Sequence, residues 1–393
     1  MTRNLTKKLT QNSNEALGYI FTTLLVVTVF ATCHPAVMNA YAKVALYINL
    51  IYITAGFIFK IRFSLAETVF LVATIAYLML SASITDGGYG SVATYFIPFL
   101  LYFVFSNFEF SSGAKRFLII LFACNILLLF VYSFPYRTNW ENWQQNSVVA
   151  INPNTLSMFL LFAFMIISVF FDLKNKKYLI SLAVLFVITV FSMYNYRSRG
   201  ALLTLLCFTG MLFLPKFLYT RKTFLIASII LILLGTAVPF VYLFMYTNGI
   251  DLSFLGKSLY TGREDLWKNM FSLFDDPVKV IFGLGSKVNL DGKALNVHNN
   301  FFNYIVDFGV IGFIVYYAFV LYQIWKIAKY SDNPIIRKSL IMYICAVIIL
   351  GFSETTSMWA TVFPLAYFGL ISANCEYSKT LKKSLTLKKR HDS

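Results

Sequence analysis

Three arginines and one histidine stand in short polar segments between long apolar runs. Arg197 and Arg199 flank Ser198 at the start of one run, and Arg263 opens a polar stretch in a long loop. Guanidinium groups match phosphate oxygens through paired N–H donors, and helix N-termini favour anions. His298 precedes another apolar run, and an imidazole there can exchange a proton near neutral pH. These residues predict a site that binds an anion and transfers a proton.

Each of these residues also has a structural alternative. The paired arginines could extend to the membrane interface, Arg263 could pair with a neighbouring carboxylate, and His298 could cap a helix. Arg197 and Arg199, however, lie on the side assigned below to the outside of the membrane, which positive charge normally avoids. This placement favours a functional role for the arginines.

The elements that must position these residues are transmembrane helices. Hydrophobic residues make up 59% of the 393 residues and charged residues only 13%, against about 45–50% and 25% in globular proteins. Such a composition excludes a soluble protein and predicts an all-α polytopic membrane protein. Runs of about 20 apolar residues predict twelve transmembrane helices, at about 16–33, 44–59, 65–84, 91–108, 117–134, 155–171, 178–195, 200–219, 224–246, 300–325, 339–353 and 357–373.

The distribution of charge orients these helices. Of the 33 Lys and Arg residues, 23 lie in segments on the side of the N-terminus, which the positive-inside rule makes cytoplasmic. Both termini are therefore predicted to be cytoplasmic. The net charge of +16 reports this orientation and predicts no binding of nucleic acid. We expect helices one to nine over 1–246, a large outer loop over 247–299, helices ten to twelve over 300–373 and a basic tail over 374–393.

Few other side chains suggest chemistry within the predicted helices. Glu67 and Asp307 are the acidic candidates, and Asp307 follows His298 by nine residues, which turns it to the opposite face of a helix. Gly309 and Gly312 predict close helix packing. The five cysteines show no spacing typical of disulfides or metal ligands.

The order of short motifs resembles a known family. It runs Asn-Pro-Asn at 152–154, Ser-Arg-Gly-Ala at 198–201, Gly-Arg at 262–263 followed by Trp267, Phe-Gly-Leu-Gly at 282–285, His-Asn at 298–299 and Gly-Val-Ile-Gly at 309–312. This order resembles the bacterial O-antigen polymerase and O-antigen ligase superfamily over about residues 150–315.

The resemblance implies a membrane glycosyltransferase of the GT-C type in the bacterial inner membrane. Its donor would be a glycan on undecaprenyl diphosphate at the periplasmic face. Arg199 and Arg263 would bind the diphosphate, with Arg197 as a less secure third arginine, and His298 would be catalytic at the acceptor hydroxyl. The family is expected to need no metal or cofactor. Five residues become candidates for contacting the glycan: Asn152, Asn154, Tyr196, Trp267 and Asn299.

Three activities stay open at this point. A polymerase, which is favoured because the chain resembles the shorter-looped and very aromatic members of the superfamily, would join lipid-linked repeat units and could work with a chain-length regulator (co-polymerase). A ligase would transfer the glycan to lipid A core. A transporter of lipid-linked glycan would need polar residues along mid-membrane faces, which are scarce in this sequence. If His298 is not the base, Glu264 and Asp307 are the next candidates.

Overall fold

The computed structural model describes residues 2–31, 35–58, 64–85, 90–106, 108, 110–138, 152–250, 253–254, 257–258, 263–285, 289–290, 293–294, 297–356 and 360–391. The first nine helices are α1 Thr2–Ala31, α2 Pro35–Ile58, α3 Leu65–Ile84, α4 Gly90–Phe105, α5 Ser112–Thr138, α6 Pro153–Phe170, α7 Lys176–Asn195, α8 Arg199–Leu212 and α9 Arg221–Thr247. A short 3-10 helix, Lys216–Leu218, precedes α9.

The chain then leaves the bundle of long helices and returns to it. This part holds two short antiparallel hairpins, β1 Ser253–Phe254 with β2 Lys257–Ser258 and β3 Asn289–Leu290 with β4 Lys293–Ala294, and the helices α10 Arg263–Ser272 and α11 Pro277–Phe282. The last elements are α12 Asn300–Ala328, α13 Pro334–Tyr343, a π-helix Ile344–Ile349, a 3-10 helix Leu350–Phe352, α14 Phe363–Ala366 and α15 Phe368–His391.

Eight helices in the described ranges are long and apolar enough to cross a membrane: Val37–Ile58, Leu65–Ile84, Ser112–Pro135, Pro153–Phe170, Lys176–Asn195, Arg221–Thr247, Asn300–Ala328 and Pro334–Phe352. Three shorter apolar helices, Glu15–Ala31, Tyr95–Phe105 and Arg199–Leu212, coincide with three other predicted helices. The all-α polytopic architecture is therefore confirmed, while the count of twelve stays a prediction. Within the last predicted helix, 357–373, the structure describes residues 360–373, which hold α14 and the start of α15; α15 continues to His391 in the predicted tail.

Polar N-caps fix where several helices begin. The side chains of Asn152, Asn175 and Asn333 accept a backbone N–H at the starts of α6, α7 and α13. Proline occupies the first turn of α6 and α13, where its missing N–H costs nothing. These local signals set the helix ends, and the helix ends carry the polar groups of the site.

Burial divides the helices into central and peripheral ones. Nearly every residue of α6 is buried, and so is most of α13 with the π-helix that continues it. By contrast α3, α7 and α9 bury one side and expose large apolar residues on the other, such as Val72, Val187 and Leu233. Exposed apolar faces of this kind suit contact with lipid.

A break within α12 corrects the interpretation of Gly309. Gly309 has φ 67° and ψ −176°, which interrupts the helix, and a Cβ there would lie 2.1 Å from the Ile281 carbonyl oxygen. The close approach is thus to the end of α11 rather than to a neighbouring long helix. Tyr77 Oη donates to the freed Phe308 carbonyl at 2.5 Å, and the Leu284 N–H donates to the Val306 carbonyl at 2.6 Å. The Phe-Gly-Leu-Gly segment therefore docks against the break in α12.

Candidate functional site

Two of the predicted site residues, Arg263 and His298, contact the same buried carboxylate, that of Glu354. Arg263 Nη2 donates to Glu354 Oε1 at 3.4 Å, and His298 Nδ1 lies 3.3 Å from Glu354 Oε2. The Glu354 side chain is 8% exposed, against 20% for Arg263 and 31% for His298. Glu354 is therefore more deeply buried than the two basic side chains that contact it.

Sequence position alone does not indicate Glu354. It follows the 3-10 helix Leu350–Phe352, 91 residues after Arg263 and 56 after His298. The available signal is an acid in a short turn between two apolar runs, where charged residues are costly unless they serve a purpose. Of the other acids proposed as bases, Glu264 is buried in α10 directly after Arg263, and Asp307 accepts a hydrogen bond from Asn303 at 2.9 Å.

The backbone around His298 is held on both sides. Trp267 Nε1 donates to the Val297 carbonyl at 2.8 Å. Asn299 caps α12 by accepting the Phe302 N–H at 2.8 Å, and its amide donates to carbonyls of Gly235 and Phe352 at 3.1 and 3.2 Å. These bonds tie the start of α12 to α10, to α9 and to the segment that carries Glu354. They fix the imidazole against its carboxylate.

The start of α8 lies beside the same segment. A Cβ on Gly200 would fall 2.2 Å from Ser353 Oγ and 3.2 Å from Ser353 Cβ, so a larger residue at this position would require Ser353 to move. Arg199, the first residue of α8, lies near enough to Arg263 for the two guanidinium charges to repel each other. The Ser198 side chain makes no capping hydrogen bond. A helix N-terminus and two arginines thus converge near Glu354, which is an arrangement that favours an anion.

Two site residues adopt a backbone conformation that L-residues avoid. Among the described residues other than glycine, only Arg197 and His298 have positive φ, 51° each. Arg197 follows the end of α7, where its N–H donates to the Tyr194 carbonyl and the Ser198 N–H donates to the Met193 carbonyl. This is a Schellman motif, whose left-handed position is usually glycine. Such strain costs about 1–3 kcal/mol and clusters at functional sites.

The residues predicted to contact glycan divide into two groups. Trp267, Asn299 and Tyr196 are buried, and their polar groups bond within the fold, with Tyr196 Oη donating to the Leu129 carbonyl at 2.7 Å. These three side chains are thus engaged within the protein. Asn152 is exposed, and its side chain accepts the Asn154 N–H at 2.9 Å as the cap of α6.

Glu67, the other acid predicted within a helix, lies at the opposite end of the molecule. It completes a capping box with Ser64 in the first turn of α3 and accepts from Lys326 Nζ at 3.3 Å. In the ranges that the structure covers, no group of three or more His, Cys, Asp or Glu side chains could hold a metal ion.

Comparison with known proteins bears on the segment that carries most of the site. Residues 184–317 match the family described as O-antigen ligase. The matched segment includes Arg197, Arg199, Arg263 and His298, whereas Glu354 lies beyond it. The match confirms the resemblance to the O-antigen ligase and polymerase superfamily, whose members are enzymes. No curated protein matches the chain.

Proposed function

We propose that this membrane protein, whose residues 184–317 match the O-antigen ligase family, is a polysaccharide polymerase. It would join undecaprenyl-diphosphate-linked repeat units into O-antigen or capsular polysaccharide. The observation that carries the proposal is the contact of Arg263 and His298 with one buried carboxylate, Glu354, beside the first turn of α8. This arrangement supplies both groups that glycosyl transfer from a diphosphate requires.

The first requirement is stabilisation of the leaving group. Breaking the bond between the sugar C1 and the diphosphate oxygen leaves negative charge on the diphosphate. Arg199 and Arg263 repel each other in the protein alone, and a diphosphate near both would replace repulsion by attraction. Fixed donors of this kind stabilise charge as it develops in the transition state. Arg197, two residues from Arg199, would contribute as a third basic group.

The second requirement is removal of a proton from the attacking hydroxyl group. With Glu354 ionised, the His298 tautomer that carries its proton on Nδ1 would donate to this carboxylate. Its Nε2 then carries a lone pair that can take the proton as the acceptor oxygen bonds to C1. Glu354 would act through His298 and Arg263 by holding both in place, and is therefore a positioning residue.

The acceptor distinguishes polymerase from ligase. The family that matches residues 184–317 is described as O-antigen ligase, and this description favours a ligase that transfers the glycan to lipid A core. The resemblance to the shorter-looped and very aromatic members of the superfamily favours a polymerase, for which a lipid-linked repeat unit is the acceptor. Both activities would use the same donor, arginines and base.

The proposed location follows from the charge distribution. With both termini cytoplasmic, the end of α12 that carries His298 faces the periplasm, where the flipped donor would be present. The proposed partners are the lipid bilayer, the lipid-linked glycan and, for a polymerase, a chain-length regulator. Cysteines introduced at position 280 should react with an impermeant maleimide in intact spheroplasts, and reaction only after lysis would reverse this orientation.

Purified protein and a single lipid-linked repeat unit test the activity directly. We expect glycan lengthening, read by gel ladders and mass spectrometry, with no nucleotide sugar added and with a chelator present. Lipid A core, supplied in parallel, should remain unmodified; its modification without lengthening would make the protein a ligase. No product with either acceptor would overturn the proposal, and loss of product with chelator would show that a metal is required.

A further inference from the structure

A groove lies at the end of the bundle opposite the candidate site. It has a volume of about 220 Å³ and lies between α3 and α12. Its apolar walls come from Ala66, Phe70, Ala318 and Phe319, and the residues with polar groups are Glu67, Tyr322 and Gln323. The rings of Phe70 and Phe319 stack at 4.9 Å between centroids, which gives the groove a fixed floor. Ala66 and Ala318 are exposed, so the groove opens on the face that contacts lipid.

Gln323 provides a hydrogen-bond donor in this groove that needs an acceptor. Its side chain is fully buried, and its Oε1 accepts a hydrogen bond from Tyr102 Oη at 2.7 Å. In the part of the chain that the structure describes, its Nε2 has no hydrogen-bond partner. A buried amide N–H without an acceptor is costly, and such groups are rare in native proteins. The groove therefore suits a ligand that presents a hydrogen-bond acceptor beside an apolar chain.

The position of the groove along α12 indicates the depth of that acceptor in the membrane. Gln323 lies five residues before the end of α12 at Ala328, which is about 7–8 Å along the axis. Beside it, Lys326 pairs with Glu67 at 3.3 Å, and Arg221 lies 3.2 Å over the Trp325 ring. Aromatic and basic side chains concentrate where the bilayer meets water. The free amide N–H thus lies just inside the interface.

We propose that this groove binds one glycerophospholipid of the leaflet at this end, with an acyl chain against Phe70 and Phe319 and an ester carbonyl accepting from Gln323 Nε2. The ester carbonyls of a phospholipid lie between the headgroup and the chains, at the depth of Gln323. A polyprenyl chain would match the apolar walls but has no acceptor for the amide. Because Glu67 and Lys326 present both signs of charge, the groove does not require an anionic headgroup. The proposal does not depend on the proposed enzymatic function.

Native mass spectrometry of the full-length protein in detergent tests the site. The probes are dioleoyl phosphatidylethanolamine and its dialkyl ether analogue, which lacks the ester carbonyls. Wild-type protein should retain one diacyl lipid about fivefold more tightly than the ether lipid, as expected for one neutral hydrogen bond. Gln323→Leu should bind both lipids equally. Equal binding of the two lipids by the wild type would overturn the role of the ester carbonyl.

A second variant keeps the test independent of the buried amide. Ala318→Trp fills the groove from its exposed wall and should abolish the retained lipid. Ala73→Trp places the same ring on an exposed position of α3 outside the groove and should bind like the wild type. Unchanged binding by Ala318→Trp would overturn the site. Displacement of the phospholipid by undecaprenyl phosphate at equal or lower concentration would overturn the choice of occupant.

Discussion

The two ends of the bundle carry ion pairs of almost the same length but use them differently. At the end opposite the site, Lys326 and Glu67 pair at 3.3 Å, and Glu67 also completes a capping box at the start of α3. At the site end, Glu354 contacts both Arg263 and His298, and Arg199 lies close enough to repel Arg263. The first arrangement caps the start of α3 and links it to the end of α12. The second concentrates basic groups around one acid, and that concentration is the feature that indicates an anionic substrate.

The largest expected effect is on the proton acceptor. His298→Ala should lower the rate of glycan transfer by about 10²–10⁴-fold, the usual contribution of a general base. Donor binding should change little, because the arginines hold the diphosphate. Initial rates with purified protein and direct binding of the lipid-linked donor measure the two quantities separately. A variant with wild-type rates would remove His298 from the mechanism.

Substitution of the arginines should give the next largest loss of transfer rate. Arg199→Ala and Arg263→Ala should each lower transfer by about 10²–10³-fold, as loss of one preorganised donor to developing charge does. Arg199→Lys should also be impaired, because a point charge does not replace a paired donor. The matched control is Arg221→Ala at the opposite end, where the guanidinium donates to the Trp325 carbonyl at 2.9 Å. Comparable losses in Arg221→Ala would erase the distinction between the two ends.

Glu354 should give a smaller effect that depends on its partners. Glu354→Gln should lower the rate by about 10–100-fold, since hydrogen bonds to charged groups contribute about 1.5–3 kcal/mol. If Glu354 acts through His298, the same substitution should cost much less in a His298→Ala background. Equal losses in both backgrounds would mean that Glu354 contributes independently of the histidine.

Glu354 also shows what the sequence could and could not predict. Arg199, Arg263 and His298 were proposed from the sequence because each stands at the boundary between a polar segment and an apolar run. Glu354 was not, because its relation to the other residues depends on how the turn after Leu350–Phe352 meets α8, α10 and α12. Long-range packing of this kind leaves no local pattern.

Trp267 and Asn299 illustrate a different limit of prediction from sequence. A tryptophan or asparagine in an outer loop has the same sequence pattern whether it faces a glycan or the protein core. In the structure, both Trp267 and Asn299 are buried and bond to backbone groups, and their contact with a glycan stays a prediction. The break at Gly309 was unpredictable for a related reason, since its cause is the approach of Ile281 from another element. Helix positions, by contrast, follow from composition, and the proposed orientation rests on the distribution of charge.

A buried lysine at the opposite end should affect stability instead of activity. Lys338 Nζ donates to the Ser168 carbonyl at 3.1 Å and to the Phe171 carbonyl, which satisfies the end of α6. Lys338→Met should destabilise the protein by about 1–3 kcal/mol, because it leaves buried carbonyls without donors. Turnover per folded molecule should remain at the wild-type level. Thermal unfolding in detergent and active-site-normalised rates check both statements, and a stable but inactive variant would contradict the comparison.

The smallest effect concerns the strain stored at the site end. Arg197 occupies the left-handed position of the turn between α7 and α8 with φ 51°, where glycine is normally found. Arg197→Gly should therefore raise stability by about 1 kcal/mol, whereas Arg197→Ala keeps the strain and should not. Both variants lack the guanidinium, so both should lose transfer activity to the same modest extent. Thermal unfolding should distinguish the two variants, whereas their transfer rates should be the same.

If Arg197→Gly keeps full activity while gaining stability, the side chain has no part in binding the diphosphate. If neither variant differs from the wild type in stability, the turn is not strained. His298 would then be the remaining described residue with a strained backbone at the site end.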